Sequence, residues 1–420
     1  MKKKDKKKTK IFKKKIEPKS RIKISKFKKK DSFSTMDVVI IMFLSLIIGF
    51  VLAMLFNYAK DRYVYKYNDN LGEIITTYNS ILENYYDEVD PDELSEAAVS
   101  GMVNSLDDPN SYYMDKETSK TFNESLEGTY KGIGLVISRV DQDVVIVKVI
   151  KDSPAEKAGI KKDDILVRVN DSETSELAVN QIADLIKKTD NVKVTYKRGD
   201  KENTVNLKKT KLDLESVTYK KYDNTGYIYI STFASNTAKQ FNDSLKKLEK
   251  DNIKSLIIDV RSNPGGHLEQ ADKILYNFFN KDTVLYQIEE KGNKVNVIDK
   301  TKDSRNYPVV ILINGTSASA SEIIASCFKD NYQKGVIVGN ESFGKGTIQN
   351  EVILKNGGSY KYTMKKWLSS KGTWYDRDTT GGIKPDVEVT NDIQSTDDKQ
   401  LDKALELLKK EEWFLLFLYF

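Results

Sequence analysis

Val309-Val-Ile-Leu-Ile313 leads into Asn314-Gly-Thr-Ser317-Ala-Ser319-Ala-Ser321-Glu322, and a helix-like stretch at 321–329 follows. Five apolar residues in a row read as a buried strand. A serine-rich turn at a helix start presents a hydroxyl beside free backbone N–H groups. Outward from this junction the alternation repeats. Strands are expected at 227–230, 256–260 and 336–338, with helices at 238–250 and 268–279. From about Glu215 onward this is a mixed α/β core.

Upstream, from about Tyr130, the pattern changes to short strands at 134–138, 144–149, 165–169, 192–197 and 204–207, broken by a helical stretch at 178–187. That suits a small, partly open β-barrel-like domain. Further upstream, apolar residues at helical spacing over 71–86 precede Asp90-Pro91-Asp92-Glu93, which reads as an N-cap, a proline at the first helical position and a reciprocal acid. The two helices suggest a small cap, or equally a stalk. At the far end an amphipathic helix over 399–410 runs into the apolar Trp413-Phe-Leu-Leu-Phe-Leu-Tyr-Phe420.

Charge divides the chain. Residues 1–36 hold 17 Lys and Arg against Asp5, Glu17 and Asp31, a net +14; taken from the +6 of the whole chain, this leaves −8 for the remainder. A nucleic-acid-binding domain carries its positive charge on the folded part, so no nucleic-acid partner is expected. Next comes a run of 19 uncharged residues, 38–56, which as a helix reaches roughly 28 Å, about the thickness of a bilayer core. A retained single-pass anchor is expected, with the basic tail cytoplasmic along anionic headgroups and the rest extracytoplasmic. A cleaved signal peptide is the rival reading, disfavoured by the length of the run and the poor cleavage site after it. One cysteine, Cys327, excludes an intrachain disulfide, and one histidine, His267, limits any histidine-based mechanism to that residue.

Four segments of the core stand out: Asp259-Val-Arg261-Ser-Asn-Pro-Gly265-Gly266, the serine turn, Ser342-Phe-Gly344-Lys345-Gly346-Thr-Ile-Gln349, and Gly382-Ile-Lys-Pro-Asp386. The second and third supply a nucleophile and a base, provided the lysine is desolvated enough to be neutral. The nearest carboxylate to Lys345 along the chain is Glu341. Spacing alone favours plainer readings, a helix-cap serine and a surface lysine in a glycine turn. Gly339 to Lys345 matches the start of a P-loop, but Gly346 stands where the metal-binding hydroxyl belongs and a β-like stretch follows. Gly132-Ile-Gly134 lacks the third glycine of a dinucleotide turn.

Taken in order, the four segments resemble the C-terminal processing peptidases, tail-specific Ser–Lys proteases of bacterial envelopes and chloroplast lumens. The resemblance extends to Asp107-Asp-Pro-Asn-Ser-Tyr-Tyr-Met114 and to the β-rich middle domain, spanning roughly 70–400. Joined to the charge and hydropathy readings above, it gives a multidomain α/β protein: basic tail 1–36, transmembrane helix 37–57, helical cap or stalk 58–127, PDZ domain 128–211, crotonase/Clp-like peptidase core 212–392, and C-terminal helix with apolar tail 393–420. The PDZ and peptidase assignments are what the resemblance implies, and the apolar tail is a departure from it. The implied catalytic residues are Ser319, the base Lys345, and Gln349, which orients it. The oxyanion donors are Ala320 and either Gly265 or Gly266, and no cofactor or metal is implied. Ser317 and Ser321 are left to packing. Gly132, Ile133, Gly134 and Leu135 resemble the PDZ carboxylate-binding loop, so the partners are protein or peptide substrates with apolar C-termini, with a homodimer as a further option. His267, where an apolar residue is common, is expected to be a wall residue. A PDZ-bearing scaffold without catalysis is the main alternative, and a cysteine hydrolase built on Cys327 and His267 a distant one. The tail ending in Leu418, Tyr419 and Phe420 has the form of a PDZ ligand, though packing of a helix end explains it as well.

Overall fold

The computed structural model describes residues 34–65, 69–302, 304–392 and 395–409. The first 33 residues of the basic tail and residues 410–420, with the apolar segment 413–420, lie outside the described residues.

Two compact units divide the chain, residues 1–89 and 90–420. The first contains α1 (Thr35–Tyr65) and α2 (Asp69–Asn84). Within α1, Thr35–Phe56 is long and apolar enough to cross a membrane, with a mean hydropathy of 3.1 and none of it buried.

The second unit begins with α3 (Pro91–Asn104), where the Asp90 side chain caps the N–H groups of Asp92 and Glu93. The segment expected as a helical cap or stalk is not all helix. After α3 come β1 (Tyr112–Met114) and α4 (Lys116–Glu127). β1 belongs to a sheet of the core, because its Tyr112 pairs with Lys361 and its Met114 with Ser359.

The middle domain holds β2 (Thr129–Gly132), β3 (Leu135–Val140), β4 (Asp143–Val149), the short α5 (Pro154–Lys157), β5 (Ile165–Val169), β6 (Ser172–Glu173), α6 (Val179–Lys188), β7 (Asn191–Arg198), β8 (Lys201–Lys208) and β9 (Thr210–Asp213). The main sheet runs β3-β4-β5-β7-β8, so β3 is an edge strand, while β2 and β9 pair as a two-stranded neck. Ile146, Leu166, Val169, Ile182, Val192 and Val194 form its core.

The remaining elements are β10 (Val217–Tyr222), β11 (Thr225–Ile230), α7 (Thr237–Lys250), β12 (Ser255–Asp259), α8 (Leu268–Leu275), β13 (Val284–Glu290), β14 (Asn293–Ile298), β15 (Val309–Ile313), α9 (Ala320–Asn331), β16 (Gly335–Gly339), β17 (Thr347–Ile353), β18 (Ser359–Ser369), β19 (Val387–Glu388) and α10 (Lys399–Lys409). The central sheet has the order β10-β11-β12-β15-β16-β19, parallel from β11 onward. It is covered on both faces. Ile258, Ile311 and Ile337 face the cluster containing Phe241, Phe278 and Phe328, whereas Ile257, Val310 and Val338 face Ala404 of α10. Burial on both faces is why β15 reads as an unbroken apolar run. Each such side chain contributes roughly 1.5–3 kcal/mol. A second sheet, β1-β18-β13-β14 with β17 also on β18, stands beside the first.

Arg261 ties α10 to the central sheet. Its guanidinium donates to Asp259 at the end of β12, and to Asp398 and Gln400 at the start of α10. Burial pushes the Asp398 carboxyl up, but hydrogen bonds from Arg261, the Leu401 N–H and the Asn391 amide draw it down to about 2. Arg261→Lys keeps the charge and loses the planar fork. It is expected to lower unfolding stability by about 2 kcal/mol, read as a lower urea midpoint. An unchanged midpoint would remove the latch from the account.

Candidate active site

Ser319 stands between β15 and α9 with φ 56 and ψ −113, a conformation costing a non-glycine residue about 1–3 kcal/mol. The strain is held from both sides. Behind the turn, Ser317 Oγ donates to Val260 O (2.8 Å) and Ser321 Oγ to Asn263 O (2.9 Å), both fully buried. Those two hydroxyls are spent on packing. The N–H groups of Glu322 and Ile323 bond the Ser319 carbonyl at 2.8 and 3.0 Å, so the first turn of α9 closes on backbone. Ser319 itself is partly exposed.

Beside it lies the Asn-Pro-Gly-Gly turn. Asn263, fully buried, donates to Ile230 O and accepts from Gly265 N–H (2.9 Å), while its carbonyl takes the Ala318 N–H. A methyl group on Gly265 (φ 103) would meet the Ser319 Cβ and Ala318 O, each at 2.9 Å, so only glycine allows this approach. The two glycines differ in their free donors. The Gly265 N–H is taken by Asn263, whereas among the described residues no hydrogen bond leaves the N–H of Gly266 or of Ala320.

Lys345 arrives on a segment pinned from three directions. Trp367 Nε1 donates to Lys345 O (2.7 Å), Trp374 Nε1 to Gly346 O (3.0 Å), and Arg377 N–H to Gly344 O (2.9 Å). A side chain on Gly346 would strike Tyr375 O and the Trp374 ring, and one on Gly344 would strike the Arg377 backbone. The Gly-Lys-Gly pattern therefore lets the backbone pass where a Cβ at 344 or 346 would not fit.

The residue joining these pieces is Glu322, absent from the expected site. It is 0% exposed. Its Oε2 accepts from the N–H groups of Ser319 (2.8 Å) and Lys345 (2.8 Å), and its Oε1 from Gly344 N–H (2.7 Å) and Ser342 Oγ (2.6 Å). Ser342 Oγ in turn accepts from Ile383 N–H (2.7 Å), which brings the fourth segment in. The signal available in the sequence is the Ser319-x-x-Glu322 spacing of a capping box.

Burial pushes Lys345 below the ordinary lysine range, and the charges of Glu322 and Asp108 oppose it without prevailing. The carboxylates that act on Lys345 are thus not Glu341, the nearest along the chain, but two that are distant only in sequence. Asp108 accepts from Ser111 Oγ and Thr363 Oγ1. Gln349 Nε2 donates to Thr347 Oγ1 (2.8 Å) and Thr363 Oγ1 (3.2 Å), and among the described residues no hydrogen bond joins Gln349 to Lys345. Lys361, stacked 3.2 Å from the Phe122 ring centroid, is pushed down to about 8 by burial, with Glu351 opposing and Lys345 assisting.

Other expected residues find their places. His267 Nε2 bonds Leu126 O (3.1 Å). Cys327 is fully buried and its thiol pushed up by that burial, which leaves no usable thiolate. In the middle domain Gly134 has φ 88 and packs against Ser153, while the carbonyls of Ile133 and Gly134 are taken by Ala155 and Ile150 N–H. Gly132 closes the neck opposite Thr210, and Leu135 opens the edge strand β3.

Known proteins share this organisation. Residues 224–389 match peptidase family S41, 131–208 a PDZ domain, and 57–118 the N-terminal domain of the activating protease CtpB. A probable CtpA-like serine protease of Staphylococcus haemolyticus is 36% identical over 328 residues, covering 76% of this chain and 65% of its own length. One from Staphylococcus aureus (strain N315) is 36% identical over 326 residues, with the same shares. The chain thus spans about two thirds of the length of these relatives. Among solved structures, a photosystem II D1 C-terminal processing protease is 25% identical with a TM-score of 0.45, covering 79% of this chain and 90% of that one. The three matched regions follow one another along a mixed α/β, multidomain chain, and the chain belongs to the C-terminal processing peptidases of family S41 that carry a PDZ domain.

Proposed function

We propose that the chain is a membrane-anchored serine endopeptidase in which Ser319 attacks the scissile carbonyl and neutral Lys345 takes its proton. One observation carries the reading: a single buried carboxylate, Glu322, bonds the backbone N–H of both residues. As the Oγ–C bond forms, the carbonyl oxygen becomes an oxyanion facing the free N–H groups of Ala320 and Gly266. Lys345, now an ammonium, returns the proton to the leaving amine as the C–N bond breaks. Water then hydrolyses the ester with Lys345 again as base. Gln349 acts through Thr363 and Asp108, whose charge bears on Lys345, instead of touching the lysine directly.

Substrates are read by their C-termini. An extended peptide adds beside the edge strand β3, with its carboxylate on the backbone of residues 132–135 and an apolar terminal side chain near Ile133 and Leu135. The parallel strands β11 to β19, with helices between them, support the crotonase/Clp-like description of the core. The apolar helix and the basic residues before it support an anchor with the peptidase outside the cytoplasm.

The base assignment has a signed test. Only neutral Lys345 can accept the proton, so kcat/KM is expected to rise with pH through a midpoint below that of an ordinary lysine. Asp108→Asn removes a negative charge that favours the ammonium, and its midpoint is expected at lower pH than in the wild type. A midpoint that stays put, or activity that falls as pH rises, overturns Lys345 as the base.

A further inference from the structure

The Gly265–Gly266 peptide is planar and trans, so its carbonyl and the Gly266 N–H point in opposite directions. Whatever holds the carbonyl aims the N–H. Two donors hold it: Phe233 N–H at 2.9 Å and the Thr232 hydroxyl at 3.1 Å. Gly266 has φ 143, and a side chain there would strike the Phe233 carbonyl, so the turn lies flat against residues 232 and 233.

The following residue is held as well. The His267 N–H bonds Phe233 O at 2.8 Å, and its ring reaches Leu126 O at 3.1 Å, near the C-terminal end of α4. Ser235 N–H and its hydroxyl bond the same carbonyl at 2.9 and 3.3 Å. Residues 232–236 and His267 therefore form a seam between the glycine turn and the end of α4. Backbone bonds alone leave such a turn able to rotate about its glycines, the residues with most conformational freedom. The Asn263 amide holds the Gly265 N–H on one side of the turn, and the Thr232 hydroxyl and the His267 ring are the side chains that restrict it on the other.

We propose that Thr232 and His267 are positioning residues for the oxyanion donor Gly266, Thr232 by fixing the carbonyl behind it and His267 by anchoring the turn to α4. The proposal rests on the serine reading above, because it presumes an oxyanion to be held.

The test uses the full chain in detergent micelles and a quenched fluorescent decapeptide ending in free Leu-Ala-Val. Thr232→Val is isosteric and loses only the hydroxyl, His267→Leu loses the ring donor, and His267→Gln returns a donor at a similar reach. Thr232→Val and His267→Leu are each expected to lower kcat about tenfold with KM within about twofold, since the hydrogen bonds they aim form only as charge develops. His267→Gln is expected to recover most of the loss. The acid limb of the pH profile should stay in place, because nothing around Lys345 changes. A raised KM with unchanged kcat, a displaced acid limb, or no recovery in His267→Gln overturns the positioning role. Thr232→Val keeps the test open should His267→Leu fail to fold. Ser319→Ala run alongside separates the two ideas. Hydrolysis retained there, or absent from the wild type, overturns the serine reading. Loss there with normal kcat in the other variants overturns the clamp alone.

Discussion

Alanine at Ser319 is expected to depress peptide hydrolysis by about 10⁵-fold or more, with Lys345→Ala falling nearly as far and the double variant no further. In the proposed mechanism nucleophile and base serve one proton transfer, so removing either removes the step. Additive losses in the double variant would sink the dyad, and so would cleavage surviving in either single one. Stability gives a second, independent reading. Ser319 is held at φ 56, where any Cβ is strained, and alanine keeps the Cβ. Glycine relieves it. Ser319→Gly is therefore expected to be inactive yet more stable than wild type by about 1 kcal/mol, the strain relieved less glycine's extra freedom in the unfolded chain. Equal stability of the alanine and glycine variants would show that the turn stores no strain.

Glu322→Ala is expected to be the most destabilising exchange at the site. It strands the N–H groups of Ser319, Gly344 and Lys345 and the Ser342 hydroxyl around a side chain that has no exposed surface. Each lost partner costs about 1–3 kcal/mol, so even with relaxation the total is on the order of 4 kcal/mol or more. Glu322→Gln is gentler in shape but not in chemistry. Two N–H groups converge on Oε2, and an amide nitrogen placed there would oppose both with hydrogens of its own. Glutamine is thus expected to lose activity by about 10²-fold or more while remaining folded. Circular dichroism and peptide hydrolysis measured together decide it. A glutamine variant with wild-type turnover would reduce Glu322 to a packing residue.

Much of this was legible in the sequence where one local rule operates. Residues 309–313 and 165–169 form strands with the expected bounds, because apolar runs and alternation mark buried strands directly. The Asp90-Pro91 start of α3 was visible for the same reason. The second sheet was not. β13, β14 and β18 are long, lysine-rich or half-exposed, and β1 joins them only through pairing across more than two hundred residues, which no local pattern records. Helix α8 ends at Leu275, before the expected 279, because Tyr276 and the residues after it tighten into turns that bury Phe278 and Phe279. At the site, Ser319 and Lys345 were readable through motifs, whereas Glu322 and Asp108 act through space. The preference proposed for Gly266 over Gly265 rests on the Asn263 side chain, since spacing treats two adjacent glycines alike.

The pairing of β1 with β18 also sets an order of assembly. A chain made from its N-terminus has Ser319 in hand before Lys345, and Asp108 waits on Thr363 until β18 exists. Glu322 meanwhile has only one of its three N–H partners until residues 344 and 345 arrive. On the proposed mechanism, a nascent chain therefore holds its serine without its base until the segment carrying Lys345, 26 residues further on, has been made. If Ser319 and Lys345 act as proposed, the site stays incomplete through the early part of synthesis, and the arrival of residues 344–369 is what assembles it.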